Sequence, residues 1–279
     1  MLHKAGTVTL DGAGYAYDSS GNRTSKTNYL NNITEQYAYD PTYQLTQVAQ
    51  GTTTTESYSY DAVGNRLSSL GMSSYAYNSS NQLTSTDAAT YTYDNNGNTR
   101  TKADASGTTT YNWDFENRLT SVVLSGSGGT VTFKYDPFGR RIQKNLAGAT
   151  TNYLYDGANS LAEVDVAGVV FATYAQGEGL DEPLVELSGG AAGYYNLDGL
   201  GSVTSLSTST SAVMKTYSYD SFGNVAASTG GLANPFQYTG RDYDLETGLR
   251  YYRARYYDSH TGRFLREDPV IFGQEFLAS

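Results

Sequence analysis

The amino-acid sequence predicts an all-β protein, a long antiparallel ribbon of β-hairpins that curves into a partial spiral shell. Three observations carry the prediction. Tyrosine and glycine stand out, at 27 and 30 of 279 residues, among abundant Ser, Thr and Asn. A motif of the form Tyr-x-Tyr-Asp-x-x-Gly-Asn-Arg recurs about every twenty residues along the first two thirds of the chain. Strong helix formers are sparse. Aromatic and β-branched side chains suit a pleated, half-buried surface, while glycine supplies the positive φ that tight corners need.

The fullest copies of the repeat are Tyr15-Ala16-Tyr17-Asp18-Ser19-Ser20-Gly21-Asn22-Arg23 and Tyr58-Ser59-Tyr60-Asp61-Ala62-Val63-Gly64-Asn65-Arg66. Weaker copies begin at Tyr37, Tyr75, Tyr91, Tyr111, Phe133, Tyr153 and Tyr217. Tyrosines at i and i+2 project from one face of a strand, so stacked units would align them into an aromatic ladder. The Asp that follows hydrogen-bonds the backbone two residues on and starts a turn, and the Gly three residues later takes the left-handed backbone of a short hairpin loop. Asn or Arg then leads into a returning strand whose alternating residues include Leu67 and Ile142. At Tyr111-Asn112-Trp113-Asp114 a Trp takes the second aromatic place, and at Tyr75-Ala76-Tyr77-Asn78 an Asn replaces the turn Asp. Ladder and turn roles account for every position without a ligand.

Composition excludes several functions. A net charge of -10 argues against nucleic acid as a partner, because phosphate binding rests on clustered Lys and Arg. With no cysteine there is no disulfide framework, thiol nucleophile or thiolate metal site. The first ten residues contain neither a signal-peptide core nor a membrane-length apolar run, and they open on the alternating stretch Thr7-Val8-Thr9-Leu10. A strand already under way there leads us to expect a piece of a longer protein.

The repeat resembles the YD repeat of RHS proteins, wall-associated Gram-positive proteins, toxin-complex C components and teneurins. After it, Gly179-Leu180-Asp181-Glu182-Pro183-Leu184 and Asn196-Leu197-Asp198-Gly199-Leu200-Gly201-Ser202-Val203 resemble linking blocks of the RHS-associated core. The run with most matches extends from Asn234-Pro235-Phe236 through Tyr238-Thr239-Gly240, Glu246-Thr247-Gly248-Leu249 and Arg255-Tyr256-Tyr257-Asp258 to Gly262-Arg263-Phe264 and Asp268-Pro269. The resemblance implies a YD-repeat ribbon over residues 1–175 and a core segment over 176–279, in a β-shell that encloses a C-terminal toxin or effector. The implied partners are that cargo and upstream repeats, and the implied location of the full-length protein is secreted or on the bacterial cell surface. Many members of the family free their cargo with aspartates from two Asp-Pro-x-Gly blocks. Here one block survives as Asp268-Pro269, Val270-Ile271 departs from the pattern, and the chain stops at Ser279 before the second block.

Candidate chemistry is sparse beside this. An aspartyl site needs two carboxylates sharing a proton, and the resemblance carries over one, Asp268. Asp258 and Arg255 complete a vestigial trio for which turn and sheet roles are the expected use, so no catalytic residue is assigned. The oxygen-rich Asp94-Asn95-Asn96-Gly97-Asn98 has Thr99 where a calcium loop needs Gly and reads as a hairpin turn, so no metal or other cofactor is expected. Arginines 250, 253, 255, 263 and 266 alternate with tyrosines and are expected to stack on rings and to pair with Asp242, Asp244, Asp258 and Glu267.

Eleven or so two-stranded units would give a ribbon contour of roughly 100 Å, or a ring of radius about 16 Å with about 10 Å left inside. That space is too small for a folded toxin, whose radius of gyration is about 13 Å at 100 residues. The expectation is therefore a curved wall completed by other repeats. A glycan- or protein-binding surface module is the alternative function, and a remnant of a self-cleaving site is the third.

Overall fold

The computed structural model describes residues 2–269. Their strands form three antiparallel meanders in which every strand pairs with its neighbours in sequence. A seven-stranded sheet runs from Leu2–Ala5 to Arg66–Ser69, a sixteen-stranded sheet from Tyr75–Tyr77 to Val225–Thr229, and a four-stranded sheet from Asp242–Asp244 to Arg263–Phe264. Between the first two sheets pairing narrows to one bridge, Ser69 to Met72, and the Tyr77 hydroxyl crosses the gap to donate to the Arg66 carbonyl at 2.8 Å. Residue 175 lies inside the strand Val170–Gln176, so sheet pairing continues through the expected change of segment.

Each repeat is a strand, a five-residue corner and a returning strand. In the first unit the Asp18 carboxylate accepts the backbone N–H of Ser20 and Asn22 and the Asn22 side-chain amide, each at 2.9 Å. The same pattern holds at Asp61, Asp94 and Asp220, and at Asp114 and Asp136 an arginine replaces the asparagine. Gly21 and Gly64 occupy the left-handed position with φ of 86° and 92°. The Asp94 loop is thus a hairpin turn, its carboxylate occupied by its own corner.

A bulge is built into every unit. Tyr17 pairs with Arg23 while Ala16 pairs with Ser25, which leaves Thr24 as an extra residue on the returning strand. The same slip precedes Tyr39, Tyr60, Tyr77, Tyr93, Trp113, Tyr135, Tyr155 and Tyr219. Bulges bend the strand and increase its twist, so one per unit turns the ribbon steadily. Leu67 and Ile142 are these extra residues, and both face solvent rather than the core that strict alternation would give them.

The first aromatic of most units faces inward, between 4% and 9% exposed at Tyr58, Tyr75, Tyr111, Phe133, Tyr153, Tyr174, Tyr195 and Tyr217. The ladder differs from a ring-on-ring stack. Within the ribbon, ring contacts join tyrosines of one unit, as in Tyr217 to Tyr219 at 6.0 Å, while arginines fill the gaps between units. Arg23 lies over Tyr15 of its own unit and Tyr37 of the next, Arg66 over Tyr58 and Tyr75, and Arg141 over Phe133 and Tyr153. A planar cation on a ring face is favourable. The second aromatic reaches back and donates to a carbonyl of the preceding unit: Tyr39 to Arg23, Tyr60 to Leu45, Trp113 to Thr99, Tyr135 to Leu119 and Tyr155 to Arg141, at 2.7–2.9 Å. Gln176 does the same with its amide, to Ser160 at 3.2 Å.

The ribbon turns until its ends overlap. The Tyr15 hydroxyl accepts the Gly199 N–H at 2.9 Å, His3 Nε2 lies 2.8 Å from the Leu197 carbonyl, and the Asp11 carboxylate accepts the hydroxyls of Thr204 and Ser205 at 2.6 Å. Further along, Glu56 accepts the Ser221 N–H, and Tyr58 packs edge-on against Phe222 at 5.0 Å. These contacts join residues 194 apart at one end of the seam and 165 apart at the other, so one turn of the spiral takes that much chain. The sheets are not closed into a barrel, since the seam is made by side chains and corners rather than by strand pairing. The interior left open in the sequence estimate is taken by the four-stranded sheet.

Candidate functional site

The four-stranded sheet meets several ribbon units, packing on their inward tyrosine face and bonding to corners. Tyr251, Tyr256, Leu249 and Leu265 pack with Tyr111, Leu119, Val122, Val131 and Phe133 in one buried cluster. The Leu265 carbonyl accepts the Thr99 N–H at 2.7 Å, the Tyr251 hydroxyl accepts the Arg141 N–H at 2.9 Å, and the Tyr257 hydroxyl donates to the Phe222 carbonyl at 2.9 Å. Touching units from both ends of the ribbon through one face places this sheet on the concave side.

Its electrostatic centre is Arg141, which is 1% exposed and bonded to Asp244 at 2.5 Å, with Asp242 at 3.9 Å. Burial opposes the guanidinium charge, but Asp244 and its neighbours outweigh burial and hold Arg141 well above the usual arginine range. Burial also opposes the Lys144 charge, and Asp244 at 3.1 Å with Glu246 at 3.0 Å raises it. Asp242 and Asp244 therefore pair with ribbon cations, not with the neighbouring arginines as the sequence suggested. Arg250, also 1% exposed, lies over the rings of Tyr219, Tyr238 and Tyr243 and donates to the Gly223 carbonyl at 2.6 Å. Arg253 pairs with Asp181, Arg263 donates to the Asn81 carbonyl and Arg266 to the Ala254 carbonyl. The expected ring stacking holds for Arg250, Arg255 and Arg263.

The signature residues fall on the seam and on the junction between ribbon and inner sheet. Asp198 accepts the Leu200 and Ser202 N–H groups and sits 3.6 Å from Lys26 across the seam. Gly199 lets the Tyr15 ring approach, since a Cβ there would lie 3.2 Å from it. Gly201, Gly240 and Gly248 turn the chain with φ of 76°, 67° and 71°. Gly262 admits Arg66 and Phe222, both of which a Cβ would strike. Tyr256 is buried, and Phe264 packs edge-on to Tyr252 and Tyr257.

The vestigial trio is only partly assembled. Arg255 meets Asp268 at 2.9 Å and lies 3.7 Å from the centre of the Phe264 ring. Asp258 is engaged elsewhere, accepting the His260 N–H at 2.9 Å with the imidazole at 3.5 Å; burial opposes its charge, and the His260 interactions outweigh burial to keep it below the usual carboxylate range. Alternation along the strand Arg255–Asp258 sends the two side chains to opposite faces. Val270 and Ile271 lie outside the described residues.

Sequence reasoning missed the units at Tyr174 and Tyr195, where Gln176 and Leu197 replace the second tyrosine. The turn Asp of Asp198-Gly199-Leu200-Gly201 was the available signal. It also missed the arginine placement, although an Arg eight residues after the first Tyr recurs at Arg23 and Arg66.

The teneurin YD-shell family model matches residues 13–275. The tRNA3(Ser)-specific nuclease WapA of Bacillus spizizenii and the tRNA nuclease WapA of Bacillus subtilis are each 37% identical over 244 residues, covering 83% of this chain and 10% of those proteins. The chain thus spans about a tenth of the length of the curated relatives it matches. The crystal structure of TcdB2-TccC3-Cdc42 aligns at 18% identity with a TM-score of 0.47, covering 94% of this chain and 18% of that one. By its sequence match over nearly the whole length, the chain belongs to the teneurin YD-shell family.

Proposed function

We propose that this chain is a non-catalytic stretch of shell wall, which in a secreted or cell-surface protein encloses and delivers a C-terminal toxin or effector. The observation that carries the reading is the wrapping of one continuous ribbon around its own inner sheet, with repeat aromatics turned inward. A wall must be self-supporting, and this construction is, with its seam bonded and its inner sheet packed against the ribbon. The relatives named as tRNA nucleases support a toxic cargo, since the matched part is a tenth of each and leaves the nuclease room elsewhere. A glycan-binding surface would need exposed rings on which sugars stack; the inward first aromatics of the repeat are not available for this, and the rings that are exposed, among them Tyr17, Tyr43, Phe115 and Phe138, lie at or beside the corners. A self-cleaving site would need a second carboxylate sharing a proton with Asp268; among the described residues Asp268 is paired with Arg255.

The test uses the full-length protein containing this sequence. Protease should spare the C-terminal domain within it at concentrations that digest the same domain alone. Equal digestion of both would remove the wall reading. Comparing masses of that protein and its Asp268→Asn form tests cleavage separately.

A further inference from the structure

The chain passes from the ribbon to the inner sheet through Asn234-Pro235-Phe236, and this segment lies against a buried carboxylate that no basic side chain pairs with among the described residues. Glu186, in the strand Pro183–Ser188, is 2% exposed. Its Oε2 is 3.0 Å from the Tyr195 hydroxyl, and that hydroxyl is also 2.9 Å from Asn234 Oδ1. The identity of the Asn234 oxygen is fixed by the Phe236 N–H, which donates to it at 3.0 Å, while Asn234 Nδ2 donates to the Phe236 carbonyl. Phe236 itself is clamped edge-on by Tyr174 at 4.8 Å and Tyr195 at 6.1 Å. From there the Tyr243 N–H donates to the Pro235 carbonyl, which starts the inner sheet.

The three oxygens pose a proton-counting problem. A phenol has one proton, and here it stands between two acceptors. If Glu186 is ionised, its charge claims that proton and the Tyr195 oxygen faces Asn234 Oδ1 with lone pairs on both sides, a buried repulsion. If Glu186 carries a proton, it donates to Tyr195 and Tyr195 donates to Asn234, so every group is satisfied.

We propose that Glu186 is a proton-binding site, and that its occupancy latches the segment Asn234–Phe236, and with it the entry to the inner sheet, onto the wall. The ionisable groups facing it are Tyr195 from Ala191–Leu197, Tyr174 from Val170–Gln176 and Tyr217 from Val213–Tyr219, and behind Tyr174 lies Glu163 from Asn159–Val164, which accepts the Tyr174 hydroxyl at 3.0 Å. None supplies a positive charge. Burial pushes Glu186 up to about 7, against the opposing Tyr195 hydrogen bond. A carboxylate raised in the latched state and ordinary when released stabilises the latch fully below its released value, and that stability is lost as pH rises through about 7.

Gly230, Gly231 and Ala233, just before the segment, are exposed and offer a cutting site. Proteinase K cleavage there, normalised at each pH to the denatured chain, should rise roughly tenfold from about pH 5.5 to about pH 8. Glu186→Gln, whose amide donates to Tyr195 permanently, should stay at the slow rate at both values. Should that variant fail to fold by circular dichroism, Glu186→Met serves instead: it has no proton to lose, leaves the Tyr195 hydroxyl to donate to Asn234, and should cut at one slow rate at both values. A flat wild-type profile overturns the proposal. So does the wild-type rise persisting in the variant, which would place the titrating group elsewhere.

Discussion

Arg141 shows how this wall handles charge. Its guanidinium is enclosed by the Phe133, Tyr153 and Tyr251 rings and held by Asp244, with both partners of the ion pair at 1% side-chain exposure. Replacing one member of such a pair strands the other, at a cost of about 3–5 kcal/mol. Arg141→Ala should therefore lose that much stability in urea unfolding, and a loss below about 1 kcal/mol would show that the pair is not central. Tyr43 stands at the other extreme. It occupies the left-handed corner position with φ of 66°, where most other units have Gly and two have Asn, at Asn81 and Asn117, and it is 62% exposed. Tyr43→Gly should add about 1 kcal/mol by the same measurement, because a non-glycine residue there carries backbone strain. At this scale the turn roles of Asp and Gly were legible in the sequence, since their bonds are local. The roles of Arg23, Arg66 and Arg141 were not, because each depends on the next unit's ring being in reach.

The unit's strand-corner-strand outline could be read from spacing alone, and its cohesion could not. Units are joined by a phenol that reaches over the bulge to a carbonyl of the preceding unit, and a bulge leaves no mark in a two-residue alternation. Removing that hydroxyl isolates its contribution. Tyr60→Phe deletes the bond to the Leu45 carbonyl and should cost about 1 kcal/mol in thermal or urea unfolding. Tyr17→Phe should be neutral within about 0.5 kcal/mol, since Tyr17 is 60% exposed and its hydroxyl has no partner among the described residues. Equal effects of the two would mean that the phenols do not tie units together. The outer face uses another device, hydroxyl pairs across strands such as Ser59 with Ser68 and Thr92 with Thr101, both at 2.6 Å. These explain the Ser and Thr content without a ligand.

For the whole molecule, the all-β class and curvature followed from composition and period, while the closure did not. Uniform units give a ring about 16 Å in radius, but the last hundred residues include a sheet that fills the interior, which repeat spacing does not reveal. The seam between residues almost two hundred apart leaves no mark in the sequence either, because its contacts are made by corners such as Asp198-Gly199 that look like any other turn. The inner sheet and the seam stand or fall together, since both require the ribbon to be rolled. The chain has no cysteine, so paired labels can be placed cleanly. Spin labels at Ser20→Cys and Leu200→Cys, on exposed corners beside the Tyr15 to Gly199 contact, measure the rolling directly. A rolled ribbon places them within about 25 Å, whereas an unrolled one would separate them by about 85 Å, the width of some eighteen strands, and a distance near that larger value would contradict the spiral.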